Sequence, residues 1–180
     1  QEPRANAFSG YFDARLRSLL EDRAPGVVGF SLNYLSQALT TFAMMGRLRS
    51  LDPGIKIVLG GGLVTSWMRR PGWRSPFAGL VDETVAGPGE EFVRRLAGTG
   101  SAEKDPIPDY DPFRGQAYLS PGFVLPYSAS RGCFWGRCSF CPENAEGGIY
   151  EAAAPHRAVA QLQELVLRYR PSLVHILDNA

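Results

Sequence analysis

The chain predicts an α/β protein built on an open parallel sheet. Three observations predict it. Short apolar runs alternate with stretches whose apolar residues recur at helical spacing. Glycine repeatedly follows the apolar runs, where a parallel strand must turn into its crossover. The 20 glycines and 14 prolines gather near the ends of these runs, as loop chemistry requires.

Phe8, Tyr11, Phe12, Leu16, Leu19 and Leu20 predict an amphipathic helix, ended by Pro25-Gly26. Val27 to Leu32 (VVGFSL) reads as a strand. Leu35, Leu39, Phe42, Met45 and Leu48 form a second helical stripe, closed by Asp52-Pro53-Gly54. Ile55 to Leu59 is a second strand that runs straight into Gly60-Gly61-Gly62. Trp67 to Pro76 reads as a basic, aromatic loop and Leu80 to Ala86 as a third strand. Gly87-Pro88-Gly89-Glu90 then opens a helix over Glu91 to Ala97, with Glu90 suited to the positive end of the helix dipole.

Residues 99–125 are polar and Pro-rich and read as a linker that wraps rather than folds alone. It separates a first domain over residues 1–98 from a second over 126–180. A strand-like Phe123 to Ser128 leads into the cysteine segment. Val159, Leu162, Leu165, Val166 and Tyr169 then give a helical face between Pro155 and Pro171, and Leu173 to Leu177 is the next strand. Strand, loop, helix and strand make one βαβ unit, which needs further strands to complete a sheet or barrel. The chain therefore reads as a piece of a longer protein, incompetent in catalysis by itself.

Hydrophobic content of 44% suits a globular core, and a net charge of +1 gives no basic field for nucleic acid. No apolar run reaches membrane-spanning length and the polar N-terminus lacks a signal-peptide pattern. Closely spaced free cysteines fit a reducing cytoplasm.

Cys133, Cys138 and Cys141 are the 3 cysteines of the chain, spaced C-x₄-C-x₂-C within Arg131-Gly132-Cys133-Phe134-Trp135-Gly136-Arg137-Cys138-Ser139-Phe140-Cys141-Pro142. So tight a group is not a disulfide framework. Three thiolates holding a 4Fe–4S cluster leave one iron open to a substrate or cofactor. Zinc is the alternative; a structural zinc site takes four ligands, and His156 is the nearest candidate for the fourth. A plant-type 2Fe–2S cluster shares this spacing but needs a fourth cysteine. A metal-binding or electron-transfer module without enzymatic activity is the competing class, although an open iron is a liability in electron transfer.

Ser130 to Cys141, SRGCFWGRCSFC, resembles the cluster loop of the radical S-adenosylmethionine enzymes. The family pattern is usually C-x₃-C-x₂-C. The extra residue between the first two cysteines resembles the subset that carries a cobalamin-binding domain. Phe140 stands where the family has an aromatic residue bordering the adenine of S-adenosylmethionine. Asp178 follows LVHIL at the strand end that, in the family, meets the methionyl ammonium group.

The preceding segment is similar to that subset as well. Ser31 and Leu32, then Gly60, Gly61 and Gly62, stand where cobalamin-binding domains have a Ser-x-Leu-type turn and a Gly-Gly turn. A broad, flat corrin ring needs backbone free of side chains beneath it. Gly87-Pro88-Gly89-Glu90 resembles a Gly-x-Gly-Glu turn common in these proteins. The axial-histidine motif of some cobalamin domains is missing; His156 and His175 both follow the cysteines. The resemblance implies a partial Rossmann-like sheet of cobalamin-binding type, followed by the first βαβ unit of a partial TIM-type barrel. It implies reductive cleavage of S-adenosylmethionine to a 5′-deoxyadenosyl radical, with cobalamin available for steps such as methyl transfer. It also implies an electron donor such as flavodoxin or ferredoxin. The substrate stays unknown.

Overall fold

A computed structural model describes residues 7–99, 106–116, 118–141, 143 and 149–178. Residues 100–105 and 117 of the expected linker lie outside these. The chain is mixed α/β with small parallel sheets. It divides into two compact units, Gln1–Ala97 with Phe140–Glu146, and Gly98–Ser139 with Gly147–Ala180.

In the first unit β1 (Val27–Ser31), β2 (Lys56–Gly60) and β3 (Glu83–Thr84) pair in parallel in the order β1-β2-β3. The register runs from Val27↔Lys56 to Ser31↔Gly60. Ile57, Val58 and Leu59 are consecutive and all buried, as befits a central parallel strand covered on both faces. α1 (Ser9–Arg23) contributes Phe12 and Leu16 to the core, and α2 (Ala38–Leu51) contributes Ala38, Met45 and Leu48.

The buried stripes are narrower than the sequence predicts. Phe8, just before α1, and Tyr11 of α1 are exposed, as are Leu35 and Leu39 of the second predicted stripe. Leu35 lies in a separate 3-10 turn over Leu35–Gln37, because α2 begins only at Ala38. α3 (Gly62–Met68) begins where the sequence reading placed a glycine turn and runs into its basic loop; it buries Val64 and Thr65. α4 (Glu90–Ala97) starts one residue before its predicted helix, with Glu90 and Glu91 in its first turn.

The third strand is two residues rather than the predicted seven of Leu80 to Ala86. Leu80 and Val81 turn back, both amides donating to the Phe77 carbonyl at 3.0 Å. The chain meets the sheet at Asp82, whose amide donates to the Ile57 carbonyl (2.9 Å) and whose carboxylate accepts from the Ile57 amide (2.7 Å). Arg49 of α2 donates to the same carboxylate at 2.6 Å. One acidic side chain thus ties a helix and a strand to the sheet edge.

In the second unit β4 (Val124–Tyr127) and β7 (Leu173–Ile176) form a parallel pair, from Val124↔Leu173 to Tyr127↔Ile176. Between them come β5 (Ser130–Arg131) and β6 (Glu151–Ala152), an antiparallel pair, and α5 (Pro155–Tyr169). Leu125, Tyr127, Leu165 and Tyr169 form the core. Leu162, Leu165 and Tyr169 face the core as predicted, joined by Ala158, while Val159 and Val166, predicted on the same face, are exposed. Tyr110 packs edge-on against Tyr169 with ring centroids 5.6 Å apart, and its hydroxyl donates to the Pro126 carbonyl. The Tyr169 hydroxyl donates to Asp109 at 2.9 Å. Asp109 and Tyr110, in the middle of the expected linker, are thus packed onto the βαβ unit.

Asp82 titrates below its ordinary 3.8, chiefly through the Ile57 amide and then the Arg49 guanidinium. Glu83 lies below 4.5, chiefly through its Lys56 partner. A lowered carboxyl value means that the charged form is favoured by folding. The stability it adds is present above the ordinary value and is lost as pH falls through the lower, folded value. Thermal unfolding should hold a constant midpoint from neutral pH down to the ordinary carboxylate values and then fall. Asp82→Ala should lower stability at pH 7 by about 1 kcal/mol, because the carboxylate is partly solvated, and should flatten the acid limb. An unchanged acid limb would contradict this assignment.

Candidate functional site

The carboxyl ends of the parallel strands carry Ser31, Leu32, Gly60 to Gly62 and Asp178, while the cysteines and Phe140 lie in the loop beyond β5. In the first unit, β1 and β2 cross just past their ladder. The Leu32 amide donates to the Gly60 carbonyl at 2.8 Å, and the Leu63 amide donates to the Leu32 carbonyl at 3.2 Å. Gly61 sits at φ +101°, ψ 170°, a region that essentially only glycine occupies. A Cβ there would lie 2.6 Å from the Leu32 amide nitrogen and from its carbonyl oxygen. A Cβ on Gly60 would stand 3.3 Å from the Val85 carbonyl. The glycine run therefore has a structural reason independent of any ligand: two strand-to-helix turns pass with backbone against backbone.

Leu32 is fully buried in the core, so its side chain is directed away from solvent. Ser31 is exposed, and its hydroxyl accepts from the Asn33 amide group at 3.3 Å. The Asn33 side-chain oxygen accepts from the Gly62 amide at 2.9 Å. Thr65 links the third turn: its hydroxyl donates to the Gly61 carbonyl and accepts from the Gly87 amide, both at 2.9 Å. The sequence reading missed Thr65. A buried threonine in the first turn of a helix following glycines is the signal that would have found it. Tyr34, Leu35 and Leu39 leave apolar side chains exposed just beyond the same strand end.

In the second unit, Asp178 is held at the end of β7. Its Oδ1 accepts from the Ser130 amide at 2.6 Å and the Ser130 hydroxyl at 2.7 Å, and its Oδ2 from the Ala129 amide at 3.2 Å. Burial works to raise the Asp178 pKa, but the bonds from Ser130 and Ala129 outweigh it and hold the carboxyl below the usual 3.8. Ser130 and Arg131 pair with Ala152 and Glu151. The next residue, Gly132, has φ +70°, and a Cβ on it would come within 2.6 Å of the Ile149 carbonyl. Residues 129–132 and 149–153 thus close the neck of a loop, and Cys133 is the first residue beyond it.

All three cysteines are free and half-buried. Cys133 and Cys138 belong to the second unit; Cys141 and Phe140 fall in the segment grouped with the first. The Phe140 side chain is 88% exposed. Phe134 meets Tyr150 edge-on with ring centroids 6.1 Å apart, and the Arg137 guanidinium lies 5.5 Å from the centre of the Trp135 ring. Among the described residues, no three His, Cys, Asp or Glu side chains converge as a metal site requires. Metal ligands must be deprotonated to bind, so the chemistry of the donor set decides which metal suits it. Three free thiols fit a thiolate-bound cluster, and chain connectivity keeps the Cys138 and Cys141 α-carbons within about 11 Å. His156, the candidate fourth zinc ligand, stands at the second position of α5. Among the described residues no helix is long and apolar enough to cross a membrane.

Comparison with protein-family models, with curated proteins and with solved structures finds no match.

Gly61→Ala combines backbone strain with a backbone clash that no rotamer relieves. It should cost about 3 kcal/mol or more, read as a fall in the denaturation midpoint. Full stability in that variant would show that the crossing of the two turns is not as described.

Proposed function

We propose that this chain carries the cluster loop of a cobalamin-dependent radical S-adenosylmethionine enzyme. The observation that carries the reading is C-x₄-C-x₂-C with all three thiols free, in a loop that leaves the carboxyl end of a parallel strand. Cys133, Cys138 and Cys141 would hold a 4Fe–4S cluster with one iron open. Once bound, such a cluster would supply reducing electrons for chemistry at the sulfonium of S-adenosylmethionine. Soft thiolates favour iron–sulfur clusters over hard-cation sites, and the missing fourth cysteine is what an open iron needs.

The chain's own residues bind and orient. The neck at 129–132 and 149–153 fixes where the loop departs from β4. Phe140 has an exposed aromatic face for an adenine. The parallel pair β4 and β7, joined through α5, is what the opening of a TIM-type barrel requires. The parallel order β1-β2-β3 with helices between is what part of a Rossmann-like sheet requires. Ligands of open α/β sheets sit at the carboxyl ends of the strands, which directs cobalamin to the turns at Ser31 and Gly60 to Gly62. A reducing cytoplasm and a flavodoxin- or ferredoxin-like electron donor complete the reading.

Anaerobic reconstitution with iron and sulfide should give nearly equal amounts of each per chain and a broad visible absorption that dithionite bleaches. Replacing all three cysteines by alanine should abolish both. Stoichiometric zinc without acid-labile sulfide would overturn the cluster assignment.

Cobalamin binding needs a different probe from Gly61, whose substitution disturbs the fold itself. Ser31 is exposed at the same strand end, so Ser31→Trp should block a corrin ring and leave the thermal midpoint nearly unchanged. Loss of retained cobalamin in this variant is the expected result. Equal retention by the variant, or none by the unaltered protein, would contradict the assignment.

A further inference from the structure

We infer that Asp178 is a positioning residue for the cysteine loop. Its carboxylate locks the end of β7 to the neck from which Cys133 departs. Both carboxylate oxygens are engaged from one side, by two consecutive backbone amides and one hydroxyl, at 2.6 to 3.2 Å. These bonds begin where the parallel ladder stops. The Leu177 amide still donates to the Tyr127 carbonyl at 2.9 Å, as a regular continuation of the β4–β7 pair. One residue further on, the side chain of Asp178 takes over from its backbone. It reaches across to Ala129 and Ser130, which the sheet geometry would otherwise leave without strand partners on that side.

The neck needs such a fastening. β5 and β6 are two residues each, too short to be stable alone. The Ala153 amide donates to the Ala129 carbonyl at 2.8 Å, so the returning limb is tied to the same residue that Asp178 holds. Gly132 lies so close to Ile149 that the neck has no room for a side chain there. Cys133 is three residues from Ser130, and its direction is inherited from this junction. A carboxylate is well suited to the task, because charge-assisted bonds to backbone amides are stronger and shorter than neutral ones. Three of the carboxylate's lone-pair positions are thus taken by the neck.

The junction itself is independent of the proposed function; its consequence for a cluster rests on that reading. The test therefore has two tiers. Amide hydrogen exchange at Ala129 and Ser130 is measured in the metal-free chain, for the unaltered protein, Asp178→Asn and Ser130→Ala. Asp178→Asn places an NH₂ group against an amide donor and should speed exchange about tenfold; Ser130→Ala removes one of three bonds and should have a smaller effect. Iron retained after gel filtration and the electron paramagnetic resonance spectrum of the reduced cluster are then compared. Asp178→Asn should retain several-fold less iron and show an altered spectrum, before any S-adenosylmethionine is added. Unchanged exchange in both variants would overturn the junction. Faster exchange with an unchanged cluster would overturn the positioning role. If the unaltered protein takes up no cluster, the proposed function fails, and the alkylation rate of Cys133 relative to Cys141 decides. A changed ratio in Asp178→Asn supports positioning, and an unchanged ratio overturns it.

Discussion

Where a parallel strand ends, its backbone amides and carbonyls lose their ladder partners, yet they are still close to the core and need hydrogen bonds. Both units of this chain meet that constraint with their own residues at the carboxyl edge. In the first unit the turns after β1, β2 and β3 are stitched by Leu32 to Gly60, Leu63 to Leu32, Asn33 to Gly62 and Thr65 to Gly87. In the second, Asp178 serves two amides beyond the end of β4. The stitches draw the turns so close that Gly61 and Gly132 have no room for a side chain.

The residues of these edges and of the cysteine loop fall into two kinds. Leu32 and Gly61 are occupied by the fold: one is buried in the core, the other is enclosed by backbone. Ser31 and Tyr34 are exposed at the strand end, and Phe140 is exposed in the cysteine loop. Asp178 has the chemistry of a ligand contact and the geometry of a brace. Catalytic groups must be held to a fraction of an ångström to be effective, and loops acquire that precision from supporting hydrogen bonds. The neck of the cysteine loop has this kind of support on both limbs.

The alternation of elements was legible because it rests on hydrophobic period, and β1, β2, α4, β4, α5 and β7 lie close to where that period puts them. β3 was over-read because Leu80 and Val81 are apolar, yet they pack from a turn while Asp82 makes the contact with the sheet. α3 was missed because its opening glycines read as a loop; tertiary packing of Val64 and Thr65 overrides their low helix propensity. Leu35 and Leu39 match a helical stripe in spacing, but the chain enters α2 through a 3-10 turn that shifts the phase of the buried face. The three cysteines needed no structure to be noticed. What the sequence could not convey is which residues hold their loop: Ser130 and Asp178 are 48 residues apart, and nothing in either neighbourhood marks the other.

A cluster held by Cys133, Cys138 and Cys141, as proposed, would have one iron without a thiolate. Mössbauer spectroscopy of the protein reconstituted with ⁵⁷Fe, with and without S-adenosylmethionine, tests it most directly. The account predicts that one iron of the four changes its isomer shift when S-adenosylmethionine is added, while the thiolate-bound three do not. A spectrum that S-adenosylmethionine leaves unchanged, or a protein that binds no cluster iron, would contradict it.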